Sequence, residues 1–167
     1  MLVEVIESKL NKKEAIKYIL SKTPLMSRVA QFNTFAKDVH IEYVEFKVLS
    51  YEVISKGKNS RFFRHEKKKK HITMIVNTYN GYSQSVEKLP ETCKRYVSKG
   101  CIKRSKIKED DIIEEVKSQI MYYLRENLDL ENLDNINIEN ISIKEIKSIY
   151  KPYWVADFNG KSIFIDG

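Results

Sequence analysis

Arg61-Phe62-Phe63-Arg64-His65-Glu66-Lys67-Lys68-Lys69-Lys70-His71 is the stretch of this chain best equipped for chemistry. Lys and Arg neutralise phosphates, and unpaired bases stack on aromatic rings. Arg61, Arg64 and Lys67, Lys68, Lys69 and Lys70, with Phe62 and Phe63, therefore form a candidate site for an anionic partner, nucleic acid included. The same residues suit a solvated hairpin loop, in which four lysines prevent edge-to-edge pairing and the two phenylalanines anchor the loop on a core. Charge runs solubilise more often than they bind, which favours the loop. The bias extends well beyond the run. Between Lys56 and Lys108 sixteen Lys and Arg stand against three acids, a net of +13 in a chain of net +7, so the remainder sums to −6. Such asymmetry implies a surface for an anionic partner or two oppositely charged surfaces that meet.

Other residue groups have usable chemistry. Tyr150, Tyr153 and Trp154, gathered around Pro152, make a candidate aromatic recognition patch, because such side chains bring large contact area at low entropic cost. Core packing is the alternative: strand alternation then buries Tyr153 with Val155 on one face and sends Trp154 to the other. His40, His65, His71, Cys93 and Cys101 are metal-ligating types, but none forms a CxxC, HxxxH or HExxH pair, so no metal site is expected. Cys93 and Cys101 are spaced for a disulfide, and a reduced pair is the expectation in an intracellular chain. Asp157 and Asp166 flank the last hairpin. They would be an acid–base pair only if they faced each other and burial separated their pKa values. Cys93 and His71 would need a third group to orient them as nucleophile and base. The sequence contains no GxSxG elbow, P-loop or GxGxxG. No catalytic residue and no cofactor is assigned.

The elements that must position these residues read as helices followed by strands. Asn11-Lys12-Lys13-Glu14 is a capping box, and Ala15, Ile16, Ile19 and Leu20 share the helical face that follows it. Thr23-Pro24 starts a second helix, giving two over 11–37. From His40 to Ser55 the pattern becomes alternating, with an irregularity at Val44-Glu45 that predicts a bulge or break. His71 to Tyr79 forms the next strand, closed by Asn80-Gly81. Pro90 to Lys99 suits a short helix ended by Gly100. A longer helix runs from about Glu109 to Arg125, with acids in its first turn and Ile113, Val116, Ile120, Tyr123 and Leu124 on one face. Residues 126–140 form an acidic connector or short strand. Ile141 to Phe158 and Lys161 to Ile165 are strands joined at Asn159-Gly160, with Pro152 marking an edge, a bulge or a break.

Two of these stretches are alike. Ile41 to Val53 lies over Ile143 to Val155 with Ile41/Ile143, Val44/Ile146, Tyr51/Tyr153 and Val53/Val155 in register, and each copy leads to a strand ending at a turn dipeptide. The expected fold is α+β: antiparallel sheets packed against helices, in a tandem duplicated α-β-β-β unit. One half would span 1–100 and the other 101–167, standing apart or fused around one core. The order helix, strand, hairpin and strand, with Glu14-Ala15-Ile16 in the first helix and Tyr153 to Lys161 leading into Ile163-Phe164-Ile165-Asp166, resembles the PepSY-like modules. Those are small α+β repeats of bacterial protease pro-regions and envelope proteins. The resemblance implies a non-catalytic domain that binds or inhibits other proteins.

An apolar content of 42% with 32% charged residues is that of a folded globular chain. No basic region followed by an apolar run opens the sequence, and no window has the roughly 20 apolar residues that cross a bilayer. A cytoplasmic protein without a transmembrane segment is therefore expected, or an envelope or secreted one if a leader has been removed. The functional expectation is a non-enzymatic protein-binding module of unspecified partner and oligomeric state. The alternatives are a nucleic-acid-associated protein using the basic segment 56–108 and, third, a small enzyme without a recognisable motif.

Overall fold

The computed structural model describes residues 1–22, 39–57, 67–130, 136–158 and 161–166. Within them lie β1 (Leu2–Ile6), α1 (Lys12–Lys22), β2 (His40–Gly57), β3 (Lys67–Asn77), β4 (Ser83–Val86), β5 (Thr92–Tyr96), β6 (Ile102–Lys103), α2 (Glu109–Leu130), β7 (Ile136–Phe158) and β8 (Lys161–Asp166). The strands hydrogen-bond in the order β4-β3-β2-β7-β1-β5, with β6 against β2 and β8 against β7. The fold is α+β, and the sheet is mixed instead of purely antiparallel, because β1 pairs with β7 and β6 with β2 in parallel. The chain forms two compact units. Unit 1 comprises Met1–Glu45, Pro90–Arg104 and Ile149–Gly167, and unit 2 comprises Phe46–Leu89 and Ser105–Ser148. The second helix expected from Thr23 and the Asn159-Gly160 turn lie outside the described residues.

In unit 2, strand alternation makes one apolar face. Leu49, Tyr51 and Val53 recur along β2, and the antiparallel register sets Leu49 opposite Met74 and Tyr51 opposite Ile72. α2 answers with Ile112, Val116 and Ile120, one residue per turn, and these side chains join Met74 and Val76 in a buried cluster. Ile112, four residues before Val116, leads the fully buried stripe, and the expected Ile113 and Leu124 are partly buried against the same cluster. Tyr123 falls off the stripe and is exposed. Tyr51 is the largest side chain in this core and is 1% exposed. Its hydroxyl donates to the Ile113 carbonyl at 3.1 Å, which meets the requirement that a buried phenol find a partner.

The hairpin from β3 to β4 holds α2 at its start. Asn77 Oδ1 accepts from the amides of Tyr79 and Asn80, Asn77 also exchanges backbone bonds with Gly81 and Tyr82, and Gly81 takes a positive φ of 76°. Any other residue at Gly81 would be strained there, and its Cβ would come within 2.9 Å of Ile107 Cδ1. The buried Thr78 beside this turn offers its carbonyl to Ser105 Oγ and to the amides of Lys106 and Ile107. The segment that enters α2 is thereby tied to the turn.

Unit 1 places α1 against β7 and β8. Glu14 N–H donates to Asn11 Oδ1 at 3.0 Å and Asn11 N–H donates to Glu14 Oε2 at 2.8 Å, so the capping box closes as expected. Ala15 and Ile19 are buried, Ile19 in a cluster with Val39, Ala156 and Ile165, and Trp154, Ile16 and Leu10 pack around it. Trp154 Nε1–H donates to the Leu10 carbonyl at 3.1 Å. β1 alternates too, burying Val3 and Val5, and it pairs antiparallel with β5. That pairing overturns the short helix expected at 90–99: Thr92 to Tyr96 supply the backbone partners that β1 needs on that side, and only a 3-10 turn follows, at Lys99–Cys101.

Neither the predicted break at Val44-Glu45 nor one at Pro152 occurs, since β2 and β7 each run continuously. Pro152 is fully buried. It sits between Tyr150, which pairs with Val5 of β1, and Tyr153, where the ladder to β8 begins. A residue without an N–H fits this handover between two partner strands.

Burial, with a smaller contribution from the Glu114 carboxylate, pushes the Tyr51 phenol up to about 12 from 10.0. Between those values the unfolded chain has released a proton that the folded chain keeps, so stability falls as pH rises through the window. Tyr51→Phe is expected to be less stable at neutral pH by about 1 kcal/mol, from the lost hydrogen bond. It is also expected to lose less stability than the parent from pH 10 to about 12. Urea denaturation at both pH values measures each effect.

Candidate functional site

β4 is much shorter than the strand it pairs with. Its last residue, Val86, lies opposite Thr73, whereas β3 begins at Lys67. From Lys67 to Ile72, β3 pairs on one side with Tyr51 to Lys56 of β2, and among the described residues no strand occupies its other side. A groove of about 690 Å³ lies at this end of unit 2. Lys70 to Met74 of β3, Ser83 to Glu87 of the β4 segment, and Gln119, Ile120 and Tyr123 of α2 line it. Ser83 Oγ hydrogen-bonds to Gln119 Oε1, which joins β4 to α2. Ile72, Met74, Val86 and Ile120 give the groove an apolar component, and Lys70 and Glu87 are the charged residues of its lining.

The lysine run is strand and not hairpin loop. Lys67, Lys68, Lys69 and Lys70 stand opposite Lys56, Ser55, Ile54 and Val53. The length of β2 dictates this: its own ladder partners extend β3 backward, and cross-strand pairing outweighs the weak strand preference of lysine. Successive residues consequently face opposite ways. Lys70 shares the α2-facing parity of Ile72, while Lys69 shares that of His71 and lies 3.6 Å from Glu52. The side chains of Lys67 and Lys68, and all of Arg61, Phe62, Phe63 and Arg64, lie outside the described residues.

Glu52 keeps 12% of its side-chain surface exposed, with Lys144 Nζ at 3.0 Å. The Lys144 hydrogen bond holds its carboxyl below the usual range against the opposing effect of desolvation, and the charges of Lys144, Lys69 and His71 add to the lowering. Other cations of the basic segment also have partners within their own unit. In unit 1, Lys103 pairs with Glu42 at 3.0 Å and lies over the Phe164 ring, and in unit 2 Lys106 lies over Tyr79.

The aromatic group does not form an open patch. Tyr150, Tyr153 and Trp154 are all half-buried. Tyr150 packs on the cluster of Val3, Val5, Tyr43 and Val97, Trp154 on the α1 side, and Tyr153 edge-on against Phe164. The neighbours Val155 and Ala156 are both buried, so both faces of the strand are covered here. Asp157 and Asp166 are not opposite one another either, since Asp157 registers with Ser162 and Asp166 with Tyr153. Asp166 instead accepts from Lys151 Nζ at 2.6 Å. Cys93 and Cys101 are free thiols, and among the described residues no three His, Cys, Asp or Glu cluster in a way that would hold a metal.

Sequence reasoning missed the groove because it assigned no strand after Asn80-Gly81. The signal was present in Tyr82-Ser83-Gln84-Ser85-Val86, a polar-apolar run directly past a turn dipeptide, where a return strand belongs. Compared with known proteins, the chain matches no family model, no curated protein and no solved structure. Among the described residues no helix is long and apolar enough to cross a membrane.

Because the Glu52 carboxyl is held low in the fold, its contribution to stability is present above the ordinary carboxylate pKa of 4.5 and is lost as pH falls through the lower folded value. Glu52→Gln is expected to destabilise the protein at pH 7 and to show a shallower decline toward pH 3 than the parent. Denaturant midpoints across that range decide it.

Proposed function

We propose that this protein is a non-enzymatic binding module that engages a partner protein by strand addition on unit 2. The observation that carries the reading is the coincidence of an unfilled strand edge with a groove: β3 continues past the end of β4, and the space beside it is walled by α2. Main-chain groups along such an edge supply affinity, and pockets for alternate side chains supply selectivity. The groove is of a size that holds several side chains, and its lining mixes apolar and polar groups with the charged Lys70 and Glu87, in the manner of a recognition surface.

In this reading the module has a doubled plan of one helix laid on one pair of strands, with the helices exchanged relative to the tandem unit that the PepSY-like resemblance implies: α1 lies on β7 and β8, and α2 on β2 and β3. Two parallels support this. In unit 2 an aromatic on the long strand, Tyr51, stands opposite Ile72 and donates to a carbonyl of the helix above it. In unit 1 Trp154 stands opposite Ile165 and donates to the carbonyl of Leu10, just before the helix above it. This correspondence pairs Tyr51 with Trp154 and is shifted by one residue from the sequence alignment. Tyr153, the aligned partner of Tyr51, belongs to the opposite face.

The reading is tested by selecting extended peptides from a random display library against the full-length protein and following amide hydrogen exchange. Selected peptides are expected to slow exchange along Lys67–Thr73 and Ser83–Val86, and Tyr123→Ala in the groove wall is expected to weaken them about tenfold. Protection confined to other strands, or no selectable peptide, would overturn it.

A further inference from the structure

We propose that the open edge of β3 takes an acidic extended segment of the partner, with one apolar side chain of that segment seated in the groove. This rests on the strand-addition reading and names the chemistry of the partner.

The backbone comes first. From Lys67 to Ile72 one side of β3 is satisfied by β2, and on the other side no strand stands among the described residues. Such an edge is a template for another chain. The second observation is the placement of charge. Lys69, Lys70 and His71 are exposed and alternate between the two faces of the strand. A strand laid alongside presents its own side chains to the same two faces. Carboxylates at successive positions therefore meet Lys70 on the α2 side and Lys69 or His71 on the other. The third is the apolar corner formed by Ile72, Val86 and Ile120, which shares the groove with Lys70 and with one acid, Glu87 at the far end of β4 from Ser83. The residue of the added strand that reaches this level is apolar.

The same arrangement argues against nucleic acid as the occupant of this edge. A phosphate backbone is neutralised along one continuous track, whereas these cations are divided between opposite faces. It also argues against a second copy of the chain, because two such edges would set lysine against lysine. Repulsion of its own kind and attraction of an acidic strand follow from one set of side chains.

The test uses the full-length protein and three labelled probes: a peptide of about ten residues with Glu at successive positions beside a single Val, its counterpart with Lys in place of each Glu, and a single-stranded oligothymidine of similar length. The Glu–Val peptide is expected to bind, to weaken as salt rises, and to slow amide exchange from Lys67 to Ile72. Joint replacement Lys69→Gln and Lys70→Gln is expected to weaken it about tenfold, the sum of two exposed charge contacts. Lys70→Gln alone, which leaves the Lys69–Glu52 pair in place, is expected to weaken it about threefold, with an unchanged urea midpoint showing that the fold is retained. Equal binding of the two peptides, indifference to these replacements, or tighter binding of oligothymidine than of the acidic peptide at equal salt would each overturn the proposal. If library-selected peptides protect β3 and β4 yet carry no acidic excess, the acidic partner falls and strand addition stands. If no peptide protects that edge, both fall.

Discussion

The seating of α2 on the hairpin of β2 and β3 is the constraint from which the rest of unit 2 follows. Leu49, Tyr51, Val53, Met74 and Val76 form a surface that must leave water, and Ile112, Val116 and Ile120 are spaced to cover it. Full burial of each large apolar side chain contributes roughly 1.5–3 kcal/mol, which outweighs any single polar contact at the surface. The helix cannot slide along this surface. Tyr51 fixes it through the Ile113 carbonyl, and the Thr78 carbonyl fixes the segment before it through three donors. The groove is what remains where β4 stops before β3 does and α2 continues above.

Legibility in the sequence followed the strength of local signals. The capping box at Asn11 and Glu14, the Asn-Gly turn and the acidic start of α2 are short-range patterns, and each forms where its residues predict. The helix expected at 90–99 failed for the opposite reason: its residues have no strong local preference and were claimed by β1, which lies far away in sequence. Pro152 shows the same effect. Its prohibition on donating to a ladder is local, but whether a donor is needed depends on which strands lie alongside, and there the ladder changes partners.

The candidate site was legible as chemistry and not as geometry. Composition singled out Lys67 to Lys70, and Lys69 and Lys70 do border an open edge, but the run was expected in a solvated hairpin loop. Strand geometry divides those charges between two faces, a fact that only the extent of β2 imposes. Tyr150, Tyr153 and Trp154 were grouped because they are close in sequence. Alternation separates Tyr153 from Trp154, and the packing of α1 claims the indole.

The threading of the two units has a consequence for how the chain acquires its structure. Unit 1 draws on the first residues and the last, and the bond from Trp154 to Leu10 joins positions 144 residues apart. Unit 2 is drawn from the stretches of sequence between those ends, and its first hairpin needs Ile112 to Ile120 for a cover. A ribosome therefore releases β1 and α1 long before their partners exist. Contacts so distant along the chain close slowly, and the early segments must spend that interval without aggregating.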